Sequence, residues 1–301
     1  MSIIEKALNK AKDQGREANI ATDFSSAPLK HIDRLRAAGQ AMPSYSPAAL
    51  DKVKPDPTPG QTVEIDWKRL SEMGFVTPDD SNTQAIEEYR NIKRPLVSNA
   101  FGKSSLGIER SNLVLVTSSV PGEGKTFTAI NLALSIANER DKNVLLIDAD
   151  VARPSVSKVL GIKSAPGLIE YLDDPEMDFM DVVLGTNMPG LTIVPAGKKH
   201  KHSFELLSSN RMAHLAQELS TRYPNRMVIF DSPPLLAATQ GEVLAKLVGQ
   251  VVLVIEAEST LQSLVMESVS KLAPCDVVLA VFNKSQGHMD GSYYGYGQYS
   301  H

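Results

Sequence analysis

Lys125 and Thr126 end the run Ser119-Val120-Pro121-Gly122-Glu123-Gly124-Lys125-Thr126. Glycines at 122 and 124 allow a turn whose backbone N–H groups point inward, and a helix opening there adds partial positive charge. Such a turn cradles an oligophosphate; the lysine reaches the β- and γ-phosphates, and the hydroxyl ligates Mg²⁺. The usual pattern places glycine where Ser119 stands. Three carboxylates accompany the loop: Asp148 and Asp150 at i and i+2 after one apolar run, and Asp231 after another. Acids at strand mouths beside a phosphate loop hold the metal of a Mg²⁺–nucleotide and orient the attacking hydroxyl. The chemistry this set fits is phosphoryl transfer or hydrolysis from a nucleoside triphosphate. A chance Gly-Lys-Thr is common, so the surrounding elements must decide.

Those elements agree. Residues 113–118 are apolar and β-branched, a strand, and residues 127–138 carry apolar side chains at helical spacing. Runs at 142–148 and 226–231 read as further buried strands, each ending in its aspartates. Strands are also expected at 191–197, 250–256 and 277–282, helices at 167–172, 204–222, 239–247 and 260–272, and a loop entering a helix over 153–161. Alternation requires crossovers, so the expected fold is α/β, a doubly wound, mainly parallel P-loop sheet with helices on both faces. Asn283 leaves the last strand, where an amide can read an adenine edge or simply make a turn.

Ahead of that core, residues 81–101 form a helix carrying Glu87, Arg90 and Lys93 at i, i+3 and i+6. Intrahelical pairing is the ordinary use of such a stripe, at a few tenths of a kcal/mol per pair. Residues 63–67 read as a strand or extended segment anchored by Trp67, the one tryptophan. Residues 2–16 place Ile3, Ile4, Ala7, Leu8 and Ala11 on one helical face. A proline-rich flexible linker with a short helix near 31–38 then reaches to about residue 60. The domains are therefore 1–80, a helix and linker; 81–286, the catalytic domain with its helix at 81–101; and 287–301, a tail.

The tail interleaves Tyr293, Tyr294, Tyr296 and Tyr299 with Gly, Ser and Gln, a composition that builds no core of its own. Tyrosines on a flexible tail enter another molecule's site without unfolding anything. A net charge of −4 over 301 residues offers no field for nucleic acid. The single cysteine excludes a disulfide framework and suits a reducing cytosol. No apolar run approaches the roughly 20 residues that span a bilayer, so a soluble protein is expected.

With these motifs in place, the chain resembles the bacterial tyrosine autokinases (BY-kinases) of capsule and exopolysaccharide systems, most of all the exosortase-associated cytoplasmic kinases. The resemblance rests on Pro121-Gly-Glu-Gly-Lys-Thr126, Leu145-Leu-Ile-Asp148-Ala-Asp150, Val228-Ile-Phe-Asp231-Ser-Pro-Pro, Glu205-Leu-Leu-Ser-Ser and the tyrosine cluster. Glu87-x-x-Arg90-x-x-Lys93 is similar to that family's Glu-x-x-Arg-x-x-Arg subunit-contact helix, with lysine last. The family's arginine two residues after the second aspartate is Ala152 here, followed by Arg153.

The resemblance implies ATP and Mg²⁺, with nucleotide held by residues 119–127 and Asn283. It implies Lys125 on the phosphates, and Thr126, Asp150 and Asp231 at the metal. Asp148 is implied as acceptor of the tyrosine proton, although spacing alone leaves open which of Asp148 and Asp150 does this. It further implies transfer in trans between copies of a homo-oligomer touching through Glu87, Arg90 and Lys93. The implied partners are an inner-membrane chain-length-determinant (polysaccharide co-polymerase) protein and a protein-tyrosine phosphatase, at a cytoplasmic location beside the inner membrane. The competing classes are a partition or septum-positioning ATPase switch and a scaffold that recruits partners through its tail. The ATPase class carries a signature lysine where Val120 stands, and the intact acids argue against the scaffold. Because Lys125 serves a phosphate, its loss is expected to cost little stability.

Overall fold

The structure is a computed structural model that describes residues 59–285, apart from 79–82, 103–106, 140, 163–164 and 224. The helices expected at 2–16 and 31–38, the linker and the tyrosine tail therefore lie outside the described residues.

Mostly apolar, buried runs become the central strands: β2 (Leu113–Ser118), β3 (Asn143–Asp148) and β6 (Arg226–Asp231). With β1 (Gln61–Val63), β4 (Leu184–Thr186), β5 (Leu191–Val194), β7 (Gln250–Glu256) and β8 (Val277–Asn283) they form one eight-stranded sheet, ordered β1-β4-β5-β3-β6-β2-β7-β8. β5, β3, β6, β2, β7 and β8 are mutually parallel; β4 runs antiparallel to β5, and β1 parallel to β4.

Period-two alternation divides each strand's side chains between two cores. Leu113, Leu115, Leu145, Ile147, Val251 and Leu253 face one helical layer, while Val114, Val116, Val144, Leu146, Val252 and Val254 face the other. The second layer holds α1 (Trp67–Glu72), α2 (Thr83–Phe101), α3 (Lys125–Ala137) and α4 (Val156–Leu160). The first layer holds α5 (Leu168–Asp173), α6 (Ser203–Leu207), α7 (Asn210–Arg222), α8 (Gln240–Ala245) and α9 (Gln262–Lys271). Helices on both faces of a mainly parallel sheet are the architecture the alternation predicts. No helix among the described residues is long and apolar enough to cross a membrane.

Three details differ from the sequence expectation. Trp67 opens α1 instead of extending a strand, because the Asp66 side chain accepts from Arg69 N and caps a helix there. The helix expected over 204–222 is two helices, since Ser209 turns extended and its hydroxyl accepts from Met212 N, starting α7 afresh. β4 is an additional strand: Leu184, Gly185 and Thr186 are too few for a periodic signal, and its pairing with β1 supplies the order.

α2 is fixed firmly against the second layer. Leu96 is fully buried, a burial worth about 2 kcal/mol for such a side chain. Asn99 Nδ2 donates to Gln250 Oε1 at 2.9 Å, and Gln250 Nε2 donates to Leu96 O at 3.1 Å.

Candidate active site

The site forms where β2, β3 and β6 end on the same side of the sheet. Parallel strands in register bring their last residues together: Asp148 of β3 pairs with Asp231 of β6. β2 runs into the loop, which adopts left-handed φ angles of +96° at both Gly122 and Gly124. Gly124 is also the N-cap of α3; its left-handed φ strains any other residue, and a Cβ there would displace the Asn283 amide, 2.0 Å away. The loop thus ends on a helix start, as an anion cradle requires.

Lys125 and Thr126 occupy the first turn of α3. Lys125 Nζ lies 2.7 Å from Asp150 Oδ2 and 3.8 Å from Asp231 Oδ1. Thr126 Oγ1 donates to Asp231 Oδ2 at 2.6 Å. Asp148 Oδ2 accepts from Ser155 N at 3.1 Å and Val156 N at 3.0 Å, which anchors the start of α4. Oδ1 of Asp148 and Oδ1 of Asp231 are buried without a hydrogen-bond partner. Burial, then the neighbouring Asp231 carboxylate, pushes Asp148 up to about 8. Burial raises Asp231 to about 6, against the lowering pull of Lys125 and Thr126. For Lys125 burial acts downward, but Asp231 and Asp150 outweigh it and the amine is raised overall.

Lys125, Thr126 and Asp150 open onto a cleft of about 400 Å³, walled by Pro121, Phe127, Ala152, Arg153, Pro233 and Pro234. Asp148 and Asp231 lie beneath it, fully buried. The residues present suit a Mg²⁺–nucleotide: a hydroxyl and carboxylates are hard oxygen donors, and Asp231 Oδ1 accepts no hydrogen bond, with the Lys125 ammonium 3.8 Å away. Arg153 walls this cleft, one position beyond the arginine of the family pattern.

Ser119 and Val120 do not line this cleft. Ser119 is fully buried and its hydroxyl bonds Ser268 Oγ of α9 at 2.9 Å, so a side chain is accommodated where glycine is usual. Glu123 is buried too and acts as a strut inside the loop. Its Oε2 accepts from Val120 N at 2.7 Å, and its Oε1 accepts from Thr260 Oγ1 and from Glu256 N at 3.4 Å. Asn283 Nδ2 donates to Glu123 O at 2.9 Å, and Lys284 Nζ donates to Gly122 O at 2.8 Å. The Asn283 amide is thus engaged with the loop's own backbone, a partner that its expected role at an adenine edge did not include. Thr260, Ser268 and Lys284 are contributors that sequence reasoning missed. Their partners are 137, 149 and 162 residues away, and no local pattern announces such contacts.

On α2 the expected stripe divides. Glu87 and Arg90 form an exposed i,i+3 ion pair. Lys93 turns inward, where its Nζ donates to Ser135 O at 2.7 Å and pairs with Glu139 at 2.9 Å. Only 8% of Lys93 is exposed, so its charge is engaged within the chain.

Comparison with known proteins locates this site in a family. Residues 109–183, which include the loop and both Asp148 and Asp150, match the ParA family described as NUBPL iron-transfer P-loop NTPase. Tyrosine-protein kinase YwqD of Bacillus subtilis is 36% identical over 213 residues, covering 69% of this chain and 86% of YwqD. Tyrosine-protein kinase ptk of Acinetobacter johnsonii is 33% identical over 182 residues, covering 60% of this chain. The match spans only 24% of that longer relative. Among solved structures, the VpsO kinase domain is 31% identical with a TM-score of 0.56, over 68% of this chain and 99% of that domain. The kinase domain of Escherichia coli ETK shares the fold, with a TM-score of 0.59 at 24% identity over 84% of this chain and 92% of that one. On its loop, its paired acids and its 36% identity to YwqD over 86% of that protein, the chain belongs to the bacterial tyrosine-protein kinases.

Proposed function

We propose that this chain is an autokinase that transfers the γ-phosphoryl group of ATP to Tyr293, Tyr294, Tyr296 and Tyr299 of a neighbouring copy. The observation that carries this reading is the convergence of one ammonium, one hydroxyl and three buried acids at one end of the cleft. Phosphoryl transfer needs positioning and charge neutralisation above all. Lys125 draws the β- and γ-phosphates into the loop. Thr126, Asp150 and Asp231 would hold Mg²⁺, which would supply charge neutralisation for those phosphates. The tyrosine oxygen forms a bond to the γ-phosphorus while the β–γ bridging P–O bond breaks and ADP leaves. Asp148 in its ionised form takes the phenolic proton at Oδ1, the oxygen of that carboxylate with no hydrogen bond from the protein; its raised pKa makes the ionised form a stronger base and the reaction faster as pH rises toward 8.

Among copies, the Glu87–Arg90 pair is the exposed part of the Glu87, Arg90 and Lys93 stripe and so the part of it available for subunit contact. By analogy with the capsule and exopolysaccharide kinases, the partner is an inner-membrane polysaccharide co-polymerase that holds the kinase at the membrane. The setting is exopolysaccharide synthesis and export of the exosortase-associated type, with a protein-tyrosine phosphatase resetting the tail. Incubation with ATP and Mg²⁺ separates this reading from an ATPase switch. The kinase accumulates phosphotyrosine in its tail, and Asp150→Asn loses it. Release of inorganic phosphate with no phosphotyrosine identifies a switch instead.

A further inference from the structure

β8 forms one edge of the sheet and, among the described residues, pairs with β7 alone. Its side chains alternate in exposure. Val278, Ala280 and Phe282 are exposed on the face where their β7 neighbours Val251, Leu253 and Ile255 are buried. α9 packs over β7 on that face and leaves β8 uncovered. Lys271 ties one flank of α9 to Glu242 of α8, and Val265, Ser268 and Leu272 point inward. At about 100° per residue, Met266 and Val269 therefore fall on the opposite flank, beside β8. Met266 is 57% exposed and Phe282 59%. The result is an apolar gutter next to an open edge.

Open edges are ordinarily protected by lysine, proline, a bulge or an inward charge. Val277 to Phe282 has none of these, and an uncharged β-branched run on an edge invites pairing with another strand. What lies nearest in the chain is residues 286–301, which begin three positions past the end of β8. Lys284 at that exit has a left-handed φ of 56°, which already turns the chain. Fully extended, these residues reach about 50 Å, against about 23 Å for the length of β8. In an extended segment Met289, Tyr293 and Tyr299 share one face, spaced by Gly291, Gly295 and Gly297. That face offers large, weakly polar side chains at the spacing a gutter admits, and Asp290 lies on the other.

We propose that residues 286–301, while unphosphorylated, lie along the β8 edge of their own chain with this face in the gutter. A tether this short gives an effective concentration of about 1 mM, so a docking Kd near 0.1 mM protects the edge about tenfold. Docking holds the tyrosines away from a neighbour's cleft. Each phosphate added brings about −1.5 to −2 charges, which an apolar gutter rejects. The release step rests on the kinase reading; the docking does not.

Hydrogen exchange at the outward-pointing amides of 277–283 tests it, with the β3 and β6 amides as internal reference. Three forms are compared: the phosphatase-treated full chain, the same chain after ATP and Mg²⁺, and a chain ending at Ser285. Exchange about tenfold slower in the first than in the third is expected, with the phosphorylated form matching the third. Equal rates in the first and third forms overturn the docking. Protection that rises with protein concentration, or persists in the shortened chain, assigns the edge to a second copy and also overturns it. A chain that gains no phosphotyrosine removes the release step and the kinase reading, while leaving the first and third forms to decide the docking.

Discussion

Lys125 has two tasks. Its ammonium lies between the buried Asp150 and Asp231 at 2.7 and 3.8 Å, so it is their counter-ion in addition to its proposed role as a ligand for phosphate. This revises the expectation that its removal costs little. Breaking a buried ion pair from one side leaves an uncompensated charge, at about 3 kcal/mol. Lys125→Met is therefore expected to lose phosphotransfer and to unfold at distinctly lower urea; an unchanged midpoint contradicts the counter-ion role. Asp148 behaves differently. Asparagine keeps an oxygen for the Ser155 and Val156 N–H groups and places its amide where Oδ1 has no partner. Asp148→Asn is expected to hold stability within about 1 kcal/mol while abolishing phosphotyrosine. Full activity in that variant removes the proton-accepting role.

Elements were legible in proportion to how local their signals are. β2, β3, β6 and β7 are buried on both faces and stand out as apolar runs, and the terminal aspartates made the site visible with them. β4 had no such run, and the break between α6 and α7 turned on a single cap, Ser209. Ser209→Ala is expected to cost about 1 kcal/mol in a denaturation experiment. The strut inside the phosphate loop was illegible, because Glu123 meets Thr260 and Asn283 only after the sheet has formed. Glu123→Ala frees the loop at Val120 and is expected to weaken binding of a fluorescent ATP analogue about tenfold. Glu123→Gln, which keeps an acceptor for Val120 N, recovers most of that loss. Equal affinity in both variants makes the strut a matter of stability alone. On α2, helical spacing gave the stripe but not the inward turn of Lys93. An exposed i,i+3 pair is worth only tenths of a kcal/mol to its own helix. Glu87→Ala/Arg90→Ala is expected to leave melting unchanged and to shift sedimentation toward monomer. Unchanged sedimentation returns the pair to an intrahelical role.

At the scale of the whole molecule, the proposed reaction changes the charge of the chain that carries it out. Four phosphotyrosines add roughly −6 to −8 charges to a chain that starts at −4. A tail so charged would repel other tails and the acids at 148, 150 and 231, so phosphorylation is expected to dissociate assemblies of the kinase with the proposed membrane partner. The central claim, transfer between copies onto these tyrosines, is tested most directly by a mixture that separates enzyme from substrate. The full-length Asp148→Asn chain serves as substrate and a wild-type chain ending at Ser285 as enzyme, with ATP and Mg²⁺, and phosphate is mapped by mass spectrometry. The account predicts phosphate on Tyr293, Tyr294, Tyr296 and Tyr299 of the full-length chain in the mixture and none when that chain is incubated alone. A mixture that leaves those tyrosines unmodified, beside a wild-type full chain that modifies its own, contradicts transfer in trans.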